Sequence, residues 1–180
     1  PGKCPHACAW CYATRIAKQR SIPGYDQPAK LKPDYPWQRI DTIKKMHNCT
    51  VFMCSMYDIG AADNDDGDIR KILEWCNTAG EDIIFVFQTK DLENFSRFFD
   101  QLRDGWLVGT TVECYPEPEW YAKYCKAPRI IDRLNALEEL SAKHDHLNFF
   151  VNVEPAFKFM PMQFGAGLAS FNLKHISMGL

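Results

Sequence analysis

An α/β domain built on a parallel sheet is the fold the sequence predicts, on three observations. Short apolar, β-prone runs recur along the chain, stretches with helical spacing separate them, and the two alternate at intervals long enough for crossover connections. The runs are nearly all apolar rather than alternating, the pattern of parallel strands covered on both faces.

The strands read as Thr50 to Met56, Ile83 to Phe87, Trp106 to Val112, Leu147 to Val153 and Leu173 to Met178. Each is a short apolar, β-prone run. Helical spacing marks Tyr12 to Gln19, Asp68 to Asn77, Leu92 to Leu102 and Ile130 to Lys143. Asp91 stands as N-cap before the third, and Ile130, Leu134, Leu137 and Leu140 give the fourth an apolar stripe. Ser21 to Pro36 holds Pro23, Gly24, Pro28, Pro33 and Pro36 and reads as loop. Tyr115 to Pro128 and Pro155 to Ser170 read as further irregular stretches, long enough to suggest function.

With 180 residues, 46% hydrophobic and 24% charged, the chain suits one soluble domain with a real core. A formal net charge of -2 gives no long-range field for nucleic acid or an anionic membrane. No run of about 18 apolar residues and no signal-peptide pattern is present, so the expected setting is the cytoplasm, with no membrane partner. The chain starts on Pro1 and stops at Leu180 within a strand-like run, so truncation at both ends is expected.

Of eight cysteines, Cys4, Cys8 and Cys11 crowd into one short segment while the others stand singly, which favours a metal site over disulfides. Three soft thiolates from one loop can hold a four-iron cube and leave one iron without a protein ligand. A helix starting near Tyr12 would aim its first amides at the anionic cluster. Zinc remains the alternative, with a fourth ligand from His6 or a distant cysteine. Cys49, Cys54, Cys76, Cys114 and Cys125 read as small apolar residues.

The segment Cys4-Pro5-His6-Ala7-Cys8-Ala9-Trp10-Cys11, with an aromatic before its last Cys, resembles the signature loop of the radical SAM superfamily. Phe52 to Asp58, Val86 to Lys90, Gly109 to Glu113 and Val151 to Pro155 are similar to a phage- and bacteria-borne branch of unknown function, the phage Gp37/Gp68-like family. The resemblance runs over most of the chain. It implies a partial (β/α)6 barrel resembling a TIM barrel, of parallel strands truncated at both ends. Residues 1–180 would then be an incomplete radical SAM core domain.

Strand carboxyl ends converge on one mouth in such folds. Those ends carry Ser55 and Asp58, then Gln88, Thr89 and Lys90, then Glu113, then Asn152 and Glu154. Steps of 35 residues from Ser55 to Lys90 and 23 from Lys90 to Glu113 each span about one strand-helix-strand unit, so a parallel sheet should bring them to one cavity. Each also has an ordinary explanation, such as a turn cap for Asp58 or an ion pair with Arg129 for Glu113.

The resemblance implies roles for them around S-adenosylmethionine. In many members a Gly-Gly-Glu run binds the methionyl amine; Cys54-Ser55-Met56 stands there instead, so Ser55 and Asp58 are expected to replace it. Lys90 suits the methionyl carboxylate and Glu113 the ribose hydroxyls. Asn152 and Glu154 would lie further over the mouth, near adenine or substrate, and Gln88 is a further cofactor-binding candidate. The cofactors implied are a [4Fe-4S] cluster and S-adenosylmethionine, with an electron donor such as flavodoxin or ferredoxin and an unidentified substrate.

A reading of another class is a non-catalytic zinc or iron-sulfur module for a protein or nucleic-acid partner. It predicts a fourth protein ligand and no polar cavity. Arg15, Lys18 and Arg20, with the aromatic segment Trp120-Tyr121-Ala122-Lys123-Tyr124, raise nucleic acid as substrate. The basic residues sit at helical spacing, as on a solvated face. The acidic run Asp63 to Asp68 lacks the closing Glu of a calcium loop and reads as solvated.

Overall fold

The structure, a computed structural model, describes residues 3–27, 42–43, 45–157, 160–169, 173 and 175–178. Residues 28–36 of the predicted proline-rich loop, and Lys174 of the last predicted strand, lie outside them. Five strands, β1 (Cys49–Met53), β2 (Ile83–Gln88), β3 (Leu107–Thr111), β4 (Asn148–Val153) and β5 (His175–Met178), form one sheet in the order β1-β2-β3-β4-β5. Every neighbouring pair is parallel. The class is α/β with an all-parallel sheet, as expected from the alternation of elements.

The helices are α1 (Tyr12–Gln19), α2 (Asp66–Cys76), α3 (Leu92–Phe95), α4 (Tyr121–Tyr124), α5 (Ile130–Lys143) and α6 (Pro161–Ala169). α1 and α5 match their predicted bounds. β1 stops at Met53 rather than Met56 because Cys54 turns to a φ of 54°, which an extended strand cannot carry. α2 starts two residues early because the Asp65 carboxylate accepts from the Asp68 amide at 3.1 Å. The acidic run is therefore a helix start, and Asp66 pairs with Arg97 at 3.0 Å.

The predicted helix Leu92 to Leu102 divides into α3 and a 3-10 segment, Ser96–Gln101. Asp91 caps it as expected, accepting from Asn94 N at 3.2 Å. A 3-10 turn stacks residues three apart, and Phe95 and Phe98 are both fully buried against the sheet. Two of the predicted irregular stretches contain the short helices α4 and α6. Pro161 opens α6 at the position proline favours, while Gly165 and Gly167 hide it from propensity.

Ladder register assigns the two faces of the sheet. Ile83, Phe85 and Phe87 of β2, Val108 of β3, and Phe149, Val151 and Val153 of β4 form one core with Ile69 and Leu73 of α2, Phe95 of α3 and Ile130, Leu134 and Leu137 of α5. The opposite face carries Phe52, Ile84, Val86, Leu107, Phe150 and Asn152. Among the described residues this face is covered only in part, with Phe150 and Asn152 buried but Phe52 46% and Ile84 39% exposed, where cover on both faces was expected. Gly109 lies on that second face, where a Cβ would run into the ring and carbonyl of Phe150. Among the described residues, no helix is long and apolar enough to cross a membrane.

Candidate functional site

Parallel strands place their carboxyl ends on one edge of the sheet, and the cysteine segment closes over that edge. The segment is held by its own turns, Ala7 N to Cys4 O and Cys11 N to Cys8 O, each 3.1 Å. It is also bonded to the chain beside α4: Ala9 N donates to Tyr124 O at 2.9 Å and Lys126 N to His6 O at 2.7 Å. Ala7 takes a φ of 47°, a strained choice for a residue with a Cβ. Cys11 is the N-cap of α1, so the first turn of that helix faces the thiols.

Cys4, Cys8 and Cys11 line a cavity of about 340 Å³ together with Tyr12, Ser55, Asp58, Gln88 and Lys90. The ends of β1 and β2 therefore meet the cysteine segment at one place. Burial, and then the Asp58 charge, push the Cys4 thiol up to about 12. Cys8 lies 3.1 Å, sulfur to sulfur, from Cys125. The hydrogen bond between those two favours loss of a single proton from the pair, raising Cys8 and lowering Cys125. Cys125 is 3% exposed, as a small apolar residue would be, but its sulfur is committed to the cysteine segment. A separation of 117 residues carries no spacing signal that could have marked this contact.

Asp58 is a tie between loops. Thr89 Oγ1 donates to its Oδ1 at 2.5 Å, Lys90 N to its Oδ2 at 2.8 Å, and Gly60 N to its Oδ1 at 2.9 Å. His6 Nε2 stands 3.1 Å from Oδ2, off the line of a well-formed hydrogen bond. Burial alone would raise the Asp58 carboxyl, but His6, the Lys90 amide and the Thr89 hydroxyl hold it below the usual carboxylate range. Both oxygens are engaged by the chain, while Asp58 still lines the cavity where an ammonium was expected. Ser55 stays exposed on the cavity wall, its carbonyl accepting from the Tyr12 hydroxyl.

Glu113 departs further from expectation. Its side chain is 0% exposed and its carboxylate is shared among Lys90 Nζ, Arg133 Nη1 at 3.0 Å and the Tyr121 hydroxyl at 2.8 Å. Burial would raise its carboxyl, but Lys90 and Arg133 outweigh that and lower it. Oε1 accepts from Lys90 and Oε2 from Arg133 and Tyr121, so the carboxylate stands behind Lys90 and not on the cavity lining, and its guanidinium partner is Arg133 rather than Arg129, which pairs with Glu117 at 3.7 Å. Arg133 also donates to Thr111 O, Pro128 O and the Tyr121 hydroxyl. Its signal was in the sequence: it interrupts the buried stripe of α5 between Ile130 and Leu137. Lys90 lines the cavity while its ammonium is neutralised by Glu113.

Asn152 and Glu154 lie on a second cavity of about 330 Å³ on the open sheet face, which shares Phe52 and Gln88 with the first. Gln88 Nε2 donates to Thr111 Oγ1 at 3.3 Å, and Asn152 Nδ2 donates to Gln88 Oε1 at 3.1 Å and to Glu154 Oε2 at 3.3 Å. Of the seven candidate side chains, Ser55, Asp58, Gln88 and Lys90 line the first cavity and Asn152 and Glu154 the second, which shares Gln88, while Asp58 and Glu113 are also held in internal networks. Arg15, Lys18 and Arg20 are exposed, and Trp10 packs on Tyr121 and Phe157 with ring centroids 5.1 and 4.9 Å apart.

Among the described residues, no three His, Cys, Asp or Glu side chains form a site for a single metal ion. A four-iron cube spreads its thiolates over separate irons, wider than one zinc imposes. Three thiols on the wall of one cavity, beside a helix start, suit such a cube in donor chemistry and position. The raised proton affinity of Cys4 and Cys8 means that loading them would release protons. No protein-family model, no curated protein and no solved structure matches the chain.

Proposed function

We propose that the chain is the core of a radical SAM enzyme, a partial (β/α)6 barrel whose cysteine segment carries a [4Fe-4S] cluster beside bound S-adenosylmethionine. One observation carries the reading: Cys4, Cys8 and Cys11 share a cavity of about 340 Å³ with polar side chains from the ends of successive parallel strands. A closed structural metal knot has no use for that space. A cluster held by Cys4, Cys8 and Cys11 would supply one-electron reductive cleavage of S-adenosylmethionine, the source of a radical that would take hydrogen from substrate.

The chain's own residues bind and orient. The three thiols would hold the cluster. Ser55 Oγ is the exposed acceptor for the methionyl ammonium. Lys90, its ammonium held by Glu113, would offer its remaining N–H donors to the methionyl carboxylate from a defined position. Gln88 stands between the two cavities, so it would separate the cofactor from substrate on the Asn152 and Glu154 side. The cavity walls limit water around the reacting atoms.

The test is anaerobic reconstitution with iron and sulfide, then S-adenosylmethionine and dithionite. Formation of 5′-deoxyadenosine, lost in Cys4→Ala, Cys8→Ala and Cys11→Ala, is the expected result. The alternative, a non-catalytic zinc or iron-sulfur module, is favoured by Cys125 alone, a fourth thiol beside Cys8. One equivalent of zinc bound by four thiolates, with no deoxyadenosine, would decide for that module.

A further inference from the structure

We infer that Cys8 and Cys125 are a thiol pair that closes to a disulfide when the cysteine segment carries no metal, withdrawing a cluster ligand until the bond is reduced. The inference rests on the assignment of Cys8 as a ligand. Its geometry stands on its own: the sulfurs are 3.1 Å apart, against about 2.05 Å in a disulfide. The backbone holds them there. Ala9, next to Cys8, is bonded to Tyr124, next to Cys125, and Lys126, on the other side of Cys125, is bonded to His6.

The two thiols differ in access. Cys8 lines the cavity, whereas Cys125 is buried at its back. A small disulfide oxidant such as glutathione disulfide would therefore meet Cys8 first. Cys8 passes its proton across the 3.1 Å contact to the Cys125 sulfur and attacks one glutathione sulfur, expelling a glutathione thiolate that takes up the proton from Cys125. The Cys125 thiolate then attacks the Cys8 sulfur of that mixed disulfide and expels the second. Two protein thiols lose two electrons and two protons, glutathione disulfide gains them, and two glutathione molecules leave. A cluster bonded to Cys8 blocks the first attack, so the metal and the disulfide exclude each other. For an oxygen-labile cluster this stores the ligand in a reversible state instead of letting it proceed to sulfinic acid.

The test uses the full chain, stripped of metal with a chelator and incubated anaerobically with glutathione disulfide. Free thiols are then alkylated and the peptides mapped without reduction. The expected result is loss of two of the eight alkylatable thiols, recovered as one cross-linked peptide joining Cys8 to Cys125. The oxidised protein should take up iron and sulfide only after treatment with dithiothreitol. In Cys125→Ser, or Cys125→Ala should the serine fail to fold, Cys8 should instead keep a glutathione adduct, and the reduced variant should load as much iron as the reduced parent.

A cross-link between Cys4 and Cys11, no cross-link at all, or loss of iron loading in both Cys125 variants would overturn the inference; the last would make Cys125 a ligand. A cross-link without deoxyadenosine formation would sink the proposed activity and leave the pair standing. Deoxyadenosine formation without a cross-link would do the reverse.

Discussion

Arg133 occupies a buried position of α5 where Ile130, Leu134 and Leu137 are its neighbours, because Glu113 lies opposite with no water to solvate it. Two charges taken out of water repay their desolvation only when both are fully bonded. Here Arg133 makes bonds to Glu113, Thr111, Pro128 and Tyr121, and Glu113 accepts from three donors. Glu113→Ala should therefore cost about 3–5 kcal/mol by leaving Arg133 unpaired, read as a large drop in the urea midpoint. The double variant Glu113→Leu with Arg133→Met should recover much of it. A Glu113→Ala protein as stable as the parent would show the network to be idle. From sequence, Glu113 is indistinguishable from a cofactor-binding carboxylate, because a strand end reads the same whether its side chain faces the cavity or turns inward. The informative residue was Arg133, whose charge breaks an apolar stripe.

Between residues and the whole sheet, the loops after β1 and β2 decide how firmly the cysteine segment is held. Asp58 binds the start of the β2 loop through Thr89 and Lys90 and faces His6 of the cysteine segment. Gly60 makes this possible, since a Cβ there would strike Thr89 Oγ1 and the Asp91 carbonyl. The carbonyl is backbone and cannot rotate away, so Gly60→Ala should cost about 1–3 kcal/mol and speed hydrogen exchange at Lys90 and Asp91. Unchanged exchange there would mean that the loops are not coupled. Asp65→Ala removes the α2 cap and should cost about 0.5–2 kcal/mol, measured as a lower Tm with the cysteine segment unaffected. Elements with one dominant signal were legible, as the stripe of α5 shows. The cap of α2 was hidden among four acidic residues that each looked solvated, and the division after Phe95 follows from aromatic packing that no periodicity reports.

At the scale of the molecule, parallel order explains why Ser55, Gln88 and Lys90 meet although their separations in sequence are large. That much was readable, because alternating strands and helices leave few topologies. The open sheet face was not, since nearly all-apolar strands predict cover on both sides, and Phe52 and Ile84 remain exposed. The mouth also sets the acid response. Asp58 and Glu113 both have folded-state proton affinities lowered by their partners. A carboxyl lowered on folding stabilises the protein fully above its unfolded value, about 3.9 for Asp and 4.3 for Glu, and that stability disappears as the pH falls through the folded value. The unfolded chain then binds more protons, so stability must fall with falling pH. His144, lowered by burial and by the adjacent His146 and Lys143, adds a loss of the same sign from about pH 6.5 downward. The urea midpoint of the metal-free chain should therefore decline gently below neutrality and steeply below about pH 4. In Asp58→Asn the steep part should shrink, while the decline near pH 6 stays. A midpoint that rises on acidification, or an Asp58→Asn profile parallel to the parent's below pH 4, would show that the carboxylates at the strand ends gain nothing from the partners the fold gives them.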